Sequence, residues 1–185
     1  VVGCIGGFLI HLVIGSLYQW GLINIYVASY YKITEPDLRL ENTAVVFPLM
    51  MTCIGIGMRP GILLASKIGT FWVLIGVEIV ASLLVLASSF IPSFVGILRA
   101  IIGFVAVFGA VFGLIVGMSF MLPMMECNKY LPGRRMYVNG VILIGTGMSS
   151  ALFGQFSYRF LNPNRIPSNL GYYDGNLQYI AEKLP

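Results

Sequence analysis

The feature that most constrains this chain is its first hydrophobic stretch, which runs from about Val1 to Tyr31 and contains no charged residue. A helix crosses the hydrocarbon core of a bilayer with about 20 apolar residues, so this stretch can span it with a turn or two to spare. The whole chain is 58% hydrophobic and only 10% charged, whereas a soluble domain is usually about 25% charged. We therefore expect an all-α polytopic membrane protein embedded in a lipid bilayer.

Apolar runs predict five transmembrane helices that form one bundle at residues 1–160. Their approximate bounds are residues 1–31, 44–65, 71–91, 93–125 and 136–160. The fourth run is too long for one untilted crossing, so its start is expected to be a loop or to lie at the interface. Because the chain starts inside its first span, we expect it to be a piece of a longer protein.

The remaining residues, 161–185, are expected to lie outside the bilayer. They begin with a loop rich in Asn, Pro and Gly. Lipid offers no hydrogen-bond partners for the backbone N–H and C=O groups of such a loop. A short amphipathic helix is predicted after it, because apolar residues recur there at helical spacing. Its apolar face consists of Leu177, Ile180, Ala181 and Leu184.

The first predicted span carries a stripe of hydrogen-bonding side chains. At about 100° per residue, one side of an ideal helix there includes His11, Tyr18, Gln19 and Tyr26. Hydrocarbon cannot satisfy such groups, so this face is expected to look inward and to line a substrate cavity. The alternative, in which these side chains only join helices through hydrogen bonds, fits any single one of them equally well.

Glu78 lies in the middle of the third predicted span, which contains no cation. A carboxylate in lipid is costly and is usually paired, protonated or functional. We expect the Glu78 carboxyl to be protonated, and it is our candidate for coupling transport to protons. The alternative is a neutral carboxyl that only bonds a neighbouring helix.

Glycines recur at short spacing in the last two predicted spans. Small residues on one face allow two membrane helices to approach closely. We therefore predict helix-packing roles for Gly109, Gly113, Gly117, Gly147 and Gly154.

Nothing in the sequence indicates an enzyme. It contains no cluster with metal-ligand spacing, no nucleophile beside a base and no phosphate-binding loop in a strand–helix context. We therefore expect no catalytic residue, no metal, no cofactor and no nucleic-acid partner.

Three motifs give the chain a family likeness. The stretch from Gly15 to Gly21 resembles the first helix of oxalate/formate antiporter-like and monocarboxylate-transporter-like members of the major facilitator superfamily. Gly61, Lys67 and Gly69 lie in a stretch that resembles the superfamily's loop motif between helices 2 and 3, Gly-x-Leu-Ala-Asp-Arg-x-Gly. Ser66 takes the place of the acid, and the leading glycine is displaced. The third stretch, which contains Arg134 and Arg135, is similar to the superfamily's aromatic-x-Pro-x-basic-Arg run before helix 5.

The resemblance covers nearly all of residues 1–160 and implies the N-terminal part of a twelve-helix secondary transporter. It implies a small organic anion as substrate, a monocarboxylate or a dicarboxylate, and the remaining half of the same transporter as partner. The resemblance also implies that some residues are remnants of gating motifs, namely Gly61, Lys67, Gly69, Arg134 and Arg135. It also implies that the two short connections rich in Lys and Arg face the cytoplasm; these connections hold Arg59, Lys67, Lys129, Arg134 and Arg135. The number of Lys and Arg residues on each side does not by itself decide the orientation.

An alternative function is a non-transporting structural subunit of a large membrane complex, derived from such a transporter. The loss of the acid at Ser66 favours this alternative, and its partners would be neighbouring membrane subunits. Under either function the chain is an integral multi-pass protein. The sequence leaves open whether it lies in the plasma membrane or in an organelle membrane such as the mitochondrial inner membrane.

Overall fold

The computed structural model describes the backbone of residues 2–34, 40–94 and 97–163, and the side chains of residues 2–31, 40–90 and 101–163. Within these ranges every regular element is helical, which confirms the predicted all-α class. Five helical segments are long and apolar enough to cross a membrane, so the protein is a multi-pass integral membrane protein. We call them spans 1 to 5: Val2–Tyr31, Leu40–Ile68, Thr70–Phe90, Ile101–Tyr130 and Pro132–Leu161.

The helices that build the spans are interrupted at a few positions. Span 1 consists of α1 (Val2–Ile14), a 3₁₀ segment (Gly15–Gln19) and α2 (Trp20–Thr34). Spans 2 and 3 consist of α3 (Leu40–Ala44), α4 (Val46–Ile68) and α5 (Thr70–Phe94). Span 4 begins within α6 (Ile97–Phe104). It continues through a π-helical segment (Val105–Val111), α7 (Phe112–Phe120) and α8 (Leu122–Tyr130). Span 5 is a 3₁₀ turn (Pro132–Arg134) and α9 (Arg135–Leu161).

Span 4 is the span whose bounds differ most from the sequence prediction of residues 93–125. Its helix continues to Tyr130, because Pro123 lies in the first turn of α8. There the missing proline N–H removes no intrahelical hydrogen bond. The predicted amphipathic helix with Leu177, Ile180, Ala181 and Leu184 lies outside the described residues.

The bundle is organised around span 4, which packs along span 2 and also contacts spans 1 and 3, while span 5 packs along span 1. Four spans contribute buried apolar side chains to one core cluster. These side chains are Ile14, Leu17, Met50, Ile54, Ala81, Phe112 and Val116. Apolar packing and close van der Waals contact hold membrane helices together, since lipid provides no hydrophobic driving force between them.

Spans 2 and 4 meet through glycines at their crossing. A Cβ on Gly113 would lie 2.7 Å from the Met50 carbonyl oxygen, and one on Gly117 would lie 2.8 Å from the Ile54 Cα. The third glycine of the predicted set, Gly109, faces Leu49 at 3.1 Å. All three predicted packing glycines of span 4 therefore face span 2.

Spans 1 and 5 also approach closely at glycines, but not at all of those the sequence indicated. Gly154 faces the Leu22 side chain, which a Cβ would approach to 2.8 Å. Gly147 faces open space, with nothing within 4 Å of its Cβ position. Its predicted packing role is therefore wrong. Gly145 has that role instead, because its Cβ position meets the Phe8 carbonyl of span 1.

Candidate substrate cavity and intramembrane charges

The polar stripe of span 1 is divided by the 3₁₀ segment Gly15–Gln19. A 3₁₀ helix turns about 120° per residue, about 20° more than an α-helix. Over five residues this rotates the later part of the span by about 100° relative to an unbroken helix. The prediction that His11, Tyr18, Gln19 and Tyr26 share one face is therefore wrong for this helix.

Each predicted cavity residue has different surroundings. His11 is fully buried, with its ring 5.1 Å from that of Phe120 in span 4. Tyr18 is 45% exposed and packs edge-on against Phe47 of span 2. Gln19 is half-buried, and its Oε1 accepts a hydrogen bond of 3.0 Å from the Ser157 hydroxyl of span 5.

Tyr26, the fourth member of the predicted stripe, is buried in the bundle. The four side chains are thus distributed among several neighbours and do not form one wall. Inward orientation holds for His11 and Tyr26, while Tyr18 is the member that remains accessible.

An ideal helical period places Trp20 on the side opposite the polar stripe, yet its side chain is buried in the bundle. Its ring lies 5.9 Å from Phe104 and 5.5 Å from Phe108. Phe104 precedes the π-helical segment of span 4 and Phe108 lies within it. Their stacked rings have centroids 5.2 Å apart. The 3₁₀ segment of span 1 therefore directs Trp20 onto an irregular part of span 4. Single π-helical turns occur frequently at functional sites.

Four polar side chains lie at one depth in the bundle. His11 is about 13 Å from the start of α1, Arg59 about 13 Å from the end of α4, and Glu78 about 12 Å from the start of α5, at 1.5 Å per residue. Ser119 is about 16 Å from the end of α8 by the same rise. These helix ends belong to one end of the bundle, because α4 and α5 are joined by the single residue Gly69. We call these four residues the polar layer.

Glu78 is half-buried, and its carboxyl lies beside the hydroxyl of Ser119. That hydroxyl donates its proton to the Val116 carbonyl at 3.0 Å. Ser119 therefore has lone pairs, but no proton, to offer the carboxyl. Among the described residues, the Glu78 Oε1 has no hydrogen-bond partner.

His11 lies on the span 1 side of the same region. Its Nδ1 is 3.2 Å from the Gly7 carbonyl oxygen, so Nδ1 carries the proton of that hydrogen bond. The buried Nε2 has no partner among the described residues. His11 and Glu78 thus each present one buried polar atom that the described part of the bundle does not satisfy.

Arg59 and Ser119 are the residues of this layer that were not predicted as site residues, and Arg59 had been assigned to the basic connections although it lies within the predicted span of residues 44–65. The structure places it inside span 2, since α4 continues through Pro60 to Ile68. It is exposed on the face opposite the packing glycine Gly61, and it forms no ion pair with a described residue.

The exposed face around Arg59 carries polar residues at intervals between the exposed apolar side chains of Ile56 and Leu63. Thr52, Arg59 and Ser66 are all exposed and recur every seven residues, which places them on one side of a helix. Gly55 on the same side has nothing within 4 Å of its Cβ position. An arginine at this depth must meet water, an acidic partner or an anionic ligand, because lipid cannot solvate it. Its depth, read from the length of the helix, is the signal that identifies it.

The residues predicted as gating-motif remnants have structural positions. A Cβ on Gly61 would lie 2.5 Å from the Met118 Cα, so this residue packs span 2 against span 4. Gly69 has φ 91° and its N–H bonds the Ala65 carbonyl at 2.9 Å, so it ends α4 in a conformation that favours glycine. Lys67, Arg134 and Arg135 are exposed at the same end of the bundle.

Comparison with known proteins gives one informative relative. The chain is 26% identical to apicoplast pyruvate carrier 1 of Toxoplasma gondii over 208 residues, which cover 93% of this chain. The chain is thus similar to a pyruvate carrier. It spans 37% of the length of that relative. No family model matches the chain, and no solved structure matches it.

These findings correct the predicted membership of the major facilitator superfamily. No model of that superfamily or of another family matches the chain, and the relative is named as a pyruvate carrier. The gating roles of Gly61, Lys67, Gly69, Arg134 and Arg135 rested on that resemblance and lose their basis with it. The cytoplasmic placement of the basic connections loses its main support for the same reason.

Proposed function

We propose that this chain is part of a carrier, not an enzyme, that moves a small organic monocarboxylate such as pyruvate across a membrane. The observation that carries the proposal is the similarity to a named pyruvate carrier over nearly the whole chain. The intramembrane arginine supports it, because a carrier of anions needs a cation at a depth where water is scarce. A single cation suits one carboxylate better than two.

Arg59 is the proposed binding residue for the substrate carboxylate. A guanidinium offers parallel N–H donors that match the two oxygens of a carboxylate. The open position at Gly55, one turn away, leaves room beside the guanidinium for a small ligand.

Glu78 is the proposed proton-coupling residue. Its buried Oε1 has no hydrogen-bond partner among the described residues, which leaves a position where water could exchange a proton with the carboxyl. Movement of one proton with one carboxylate would be electroneutral. The membrane potential would then not oppose uptake of the anion.

The test measures uptake of labelled pyruvate by proteoliposomes that contain the full-length protein. Removing a charged hydrogen bond costs about 1.5–3 kcal/mol, so Arg59→Gln should weaken the apparent affinity about tenfold to hundredfold. Arg59→Lys should retain part of it, since it keeps the charge but loses the paired donors. Arg159→Gln is the matched control, because Arg159 is an exposed arginine in the last turn of α9.

Two outcomes would contradict the proposal in different ways. If the wild-type protein takes up pyruvate and Arg59→Gln does so equally well, Arg59 is not the carboxylate site. If the wild-type protein takes up neither pyruvate nor a related monocarboxylate, the transport function is wrong. Pyruvamide, the neutral analogue, should fail to compete with pyruvate if the carboxylate is what the protein recognises.

The non-transporting subunit stays a prediction that no specific observation of the described residues favours. The same uptake assay addresses it, because pyruvate transport by the purified protein alone would exclude it.

A further inference from the structure

A cavity of about 690 Å³ opens at the end of the bundle where α4 and α5 meet. This volume falls within the range of about 300–1,000 Å³ that is typical of small-molecule sites. The cavity lies between the first half of span 1 and the turn from span 2 to span 3, with the end of span 4 as its floor. It lies on the basic-end side of the polar layer, and its lining includes Ser66 but not Arg59. We call it the basic-end cavity.

The lining of the basic-end cavity changes from polar to apolar with depth. Its deeper part is formed by Gly6, Gly7, Ile10, Leu74 and Pro123. Its mouth is formed by Ser66, Thr70, Glu126 and Lys129. At the mouth, the Glu126 carboxylate accepts hydrogen bonds from the Thr70 hydroxyl at 3.1 Å and from the Lys129 ammonium at 2.7 Å. A ligand that fits must therefore have a polar head and an apolar tail.

Aromatic side chains place the mouth at the level of lipid headgroups. Phe71 and Trp72 at the start of span 3, Tyr130 at the end of span 4 and Tyr137 at the start of span 5 are all more than half exposed. Exposed Trp and Tyr residues at the ends of membrane helices are typical of the interface between water and hydrocarbon. The polar mouth thus lies at headgroup depth, and the glycine-lined interior extends toward the hydrocarbon.

The charge around the mouth is complementary to an anion. The described residues at this end include the cations Lys67, Lys129, Arg134 and Arg135, against the acid Glu126. Of these charged residues, only Glu126 and Lys129 line the cavity, and they form an ion pair, so the net positive charge at this end of the bundle comes mainly from the other three cations, which lie outside the lining. Lys129 is exposed and uses one of its three N–H donors for Glu126, which leaves donors for a phosphate.

A second cavity repeats the arrangement on the other side of span 1. It has about 440 Å³ and is lined by Ile5, Phe8 and Val141, with Arg134 and Tyr137 among its polar lining residues. Both cavities are apolar inside, have a basic residue in the lining and open at the same end of the bundle, so the same class of ligand fits both. Basic pockets between membrane helices bind anionic lipid headgroups.

We propose that the basic-end cavity binds an anionic phospholipid, with its phosphate at the Lys129 ammonium, Lys67 close enough to attract the headgroup, and one acyl chain along Gly6, Ile10 and Leu74. Gly6 lines the cavity and, because glycine has no side chain, leaves space there. Nothing lies within 4 Å of its Cβ position, so a larger residue there would fill the cavity without a clash at its Cβ.

The test uses the full-length protein in phosphatidylcholine vesicles that contain phosphatidylglycerol with a photoreactive group in one acyl chain. After illumination, mass spectrometry of peptides should find the label near Ile10 and Leu74. Gly6→Phe should reduce this labelling to background. Gly76→Phe is the matched control and should leave it unchanged, because Gly76 is an exposed glycine of span 3 with nothing within 4 Å of its Cβ position.

Headgroup selection is tested with Lys67→Gln and with a phosphatidylcholine probe that carries the same photoreactive chain. A lysine near the surface attracts anionic lipid about fivefold, so Lys67→Gln should reduce phosphatidylglycerol labelling by about that factor. Equal labelling by the phosphatidylcholine probe would mean unselective surrounding lipid and would overturn the proposal. Loss of labelling on addition of inorganic phosphate would indicate a free-phosphate site and would also overturn it. So would labelling that Gly6→Phe leaves intact, or no labelling at all.

Discussion

Replacing Gly61 by alanine tests the role of this residue. The structure places Gly61 at the contact between spans 2 and 4, whereas its sequence motif suggested a role in gating. A Cβ added at Gly61 would meet backbone atoms of Met118, at 2.5 Å from the Cα and 2.7 Å from the carbonyl carbon. Ordinary contact for a Cβ begins at 3.4 Å. Spans 2 and 4 would therefore have to separate by more than about 0.9 Å, since the Met118 carbonyl oxygen lies closer still and a backbone cannot rotate away as a side chain can.

The cost follows from two opposing effects. In a helix interior alanine is more favourable than glycine by about 0.5–1 kcal/mol. Overpacking of a well-packed contact costs about 1–3 kcal/mol. Neighbouring glycines of the same crossing, Gly57 and Gly117, also lie against backbone, so the helices cannot tilt to relieve the contact locally. We expect Gly61→Ala to lower the free energy of unfolding by about 1–3 kcal/mol.

The matched control is Gly55→Ala, in the same helix and with nothing within 4 Å of its Cβ position. It should raise the free energy of unfolding by about 0.5–1 kcal/mol. The assay is unfolding by sodium dodecyl sulfate in mixed micelles, followed by the fluorescence of Trp20, which is buried between Phe104 and Phe108. Equal stability of the two variants would refute the packing argument. Normal stability combined with altered pyruvate uptake would restore a gating role for Gly61.

Two further predictions concern polar contacts inside the bundle. Glu78→Gln should change the free energy of unfolding little, because an amide replaces a protonated carboxyl, whereas Glu78→Leu should cost about 1–3 kcal/mol by leaving Ser119 without its neighbour. The same unfolding assay measures both, and a Gln variant as unstable as the Leu variant would mean that the carboxyl is ionised. A double-mutant cycle with Gln19→Ala and Ser157→Ala should give a coupling energy of about 0.6 kcal/mol, typical of such bonds in membranes. Additive effects would mean that this bond between spans 1 and 5 does not contribute to stability.

The transmembrane architecture could be predicted from the sequence because its causes are local. Every backbone group in lipid must be bonded within its own segment, so a long apolar run without charge can only be a helix. The glycines of span 4 were also predictable, since Gly109, Gly113 and Gly117 are four residues apart and stay on one face of any regular helix. The family was not predictable from short motifs, because Gly69 and Gly61 have structural reasons to be glycine that are independent of a family.

The tertiary structure decided which faces meet and at what depth. The 3₁₀ segment Gly15–Gln19 rotates the polar stripe of span 1, and an ideal period of 3.6 residues cannot anticipate that. Gly147 and Gly145 are both small, but only the position of span 1 makes Gly145 the contact. Arg59 already lay within the predicted second span, but only the helix packing shows that its side chain is exposed on the face opposite Gly61. Helical periodicity is a property of one segment, whereas the neighbour that each face meets depends on residues far away in the chain.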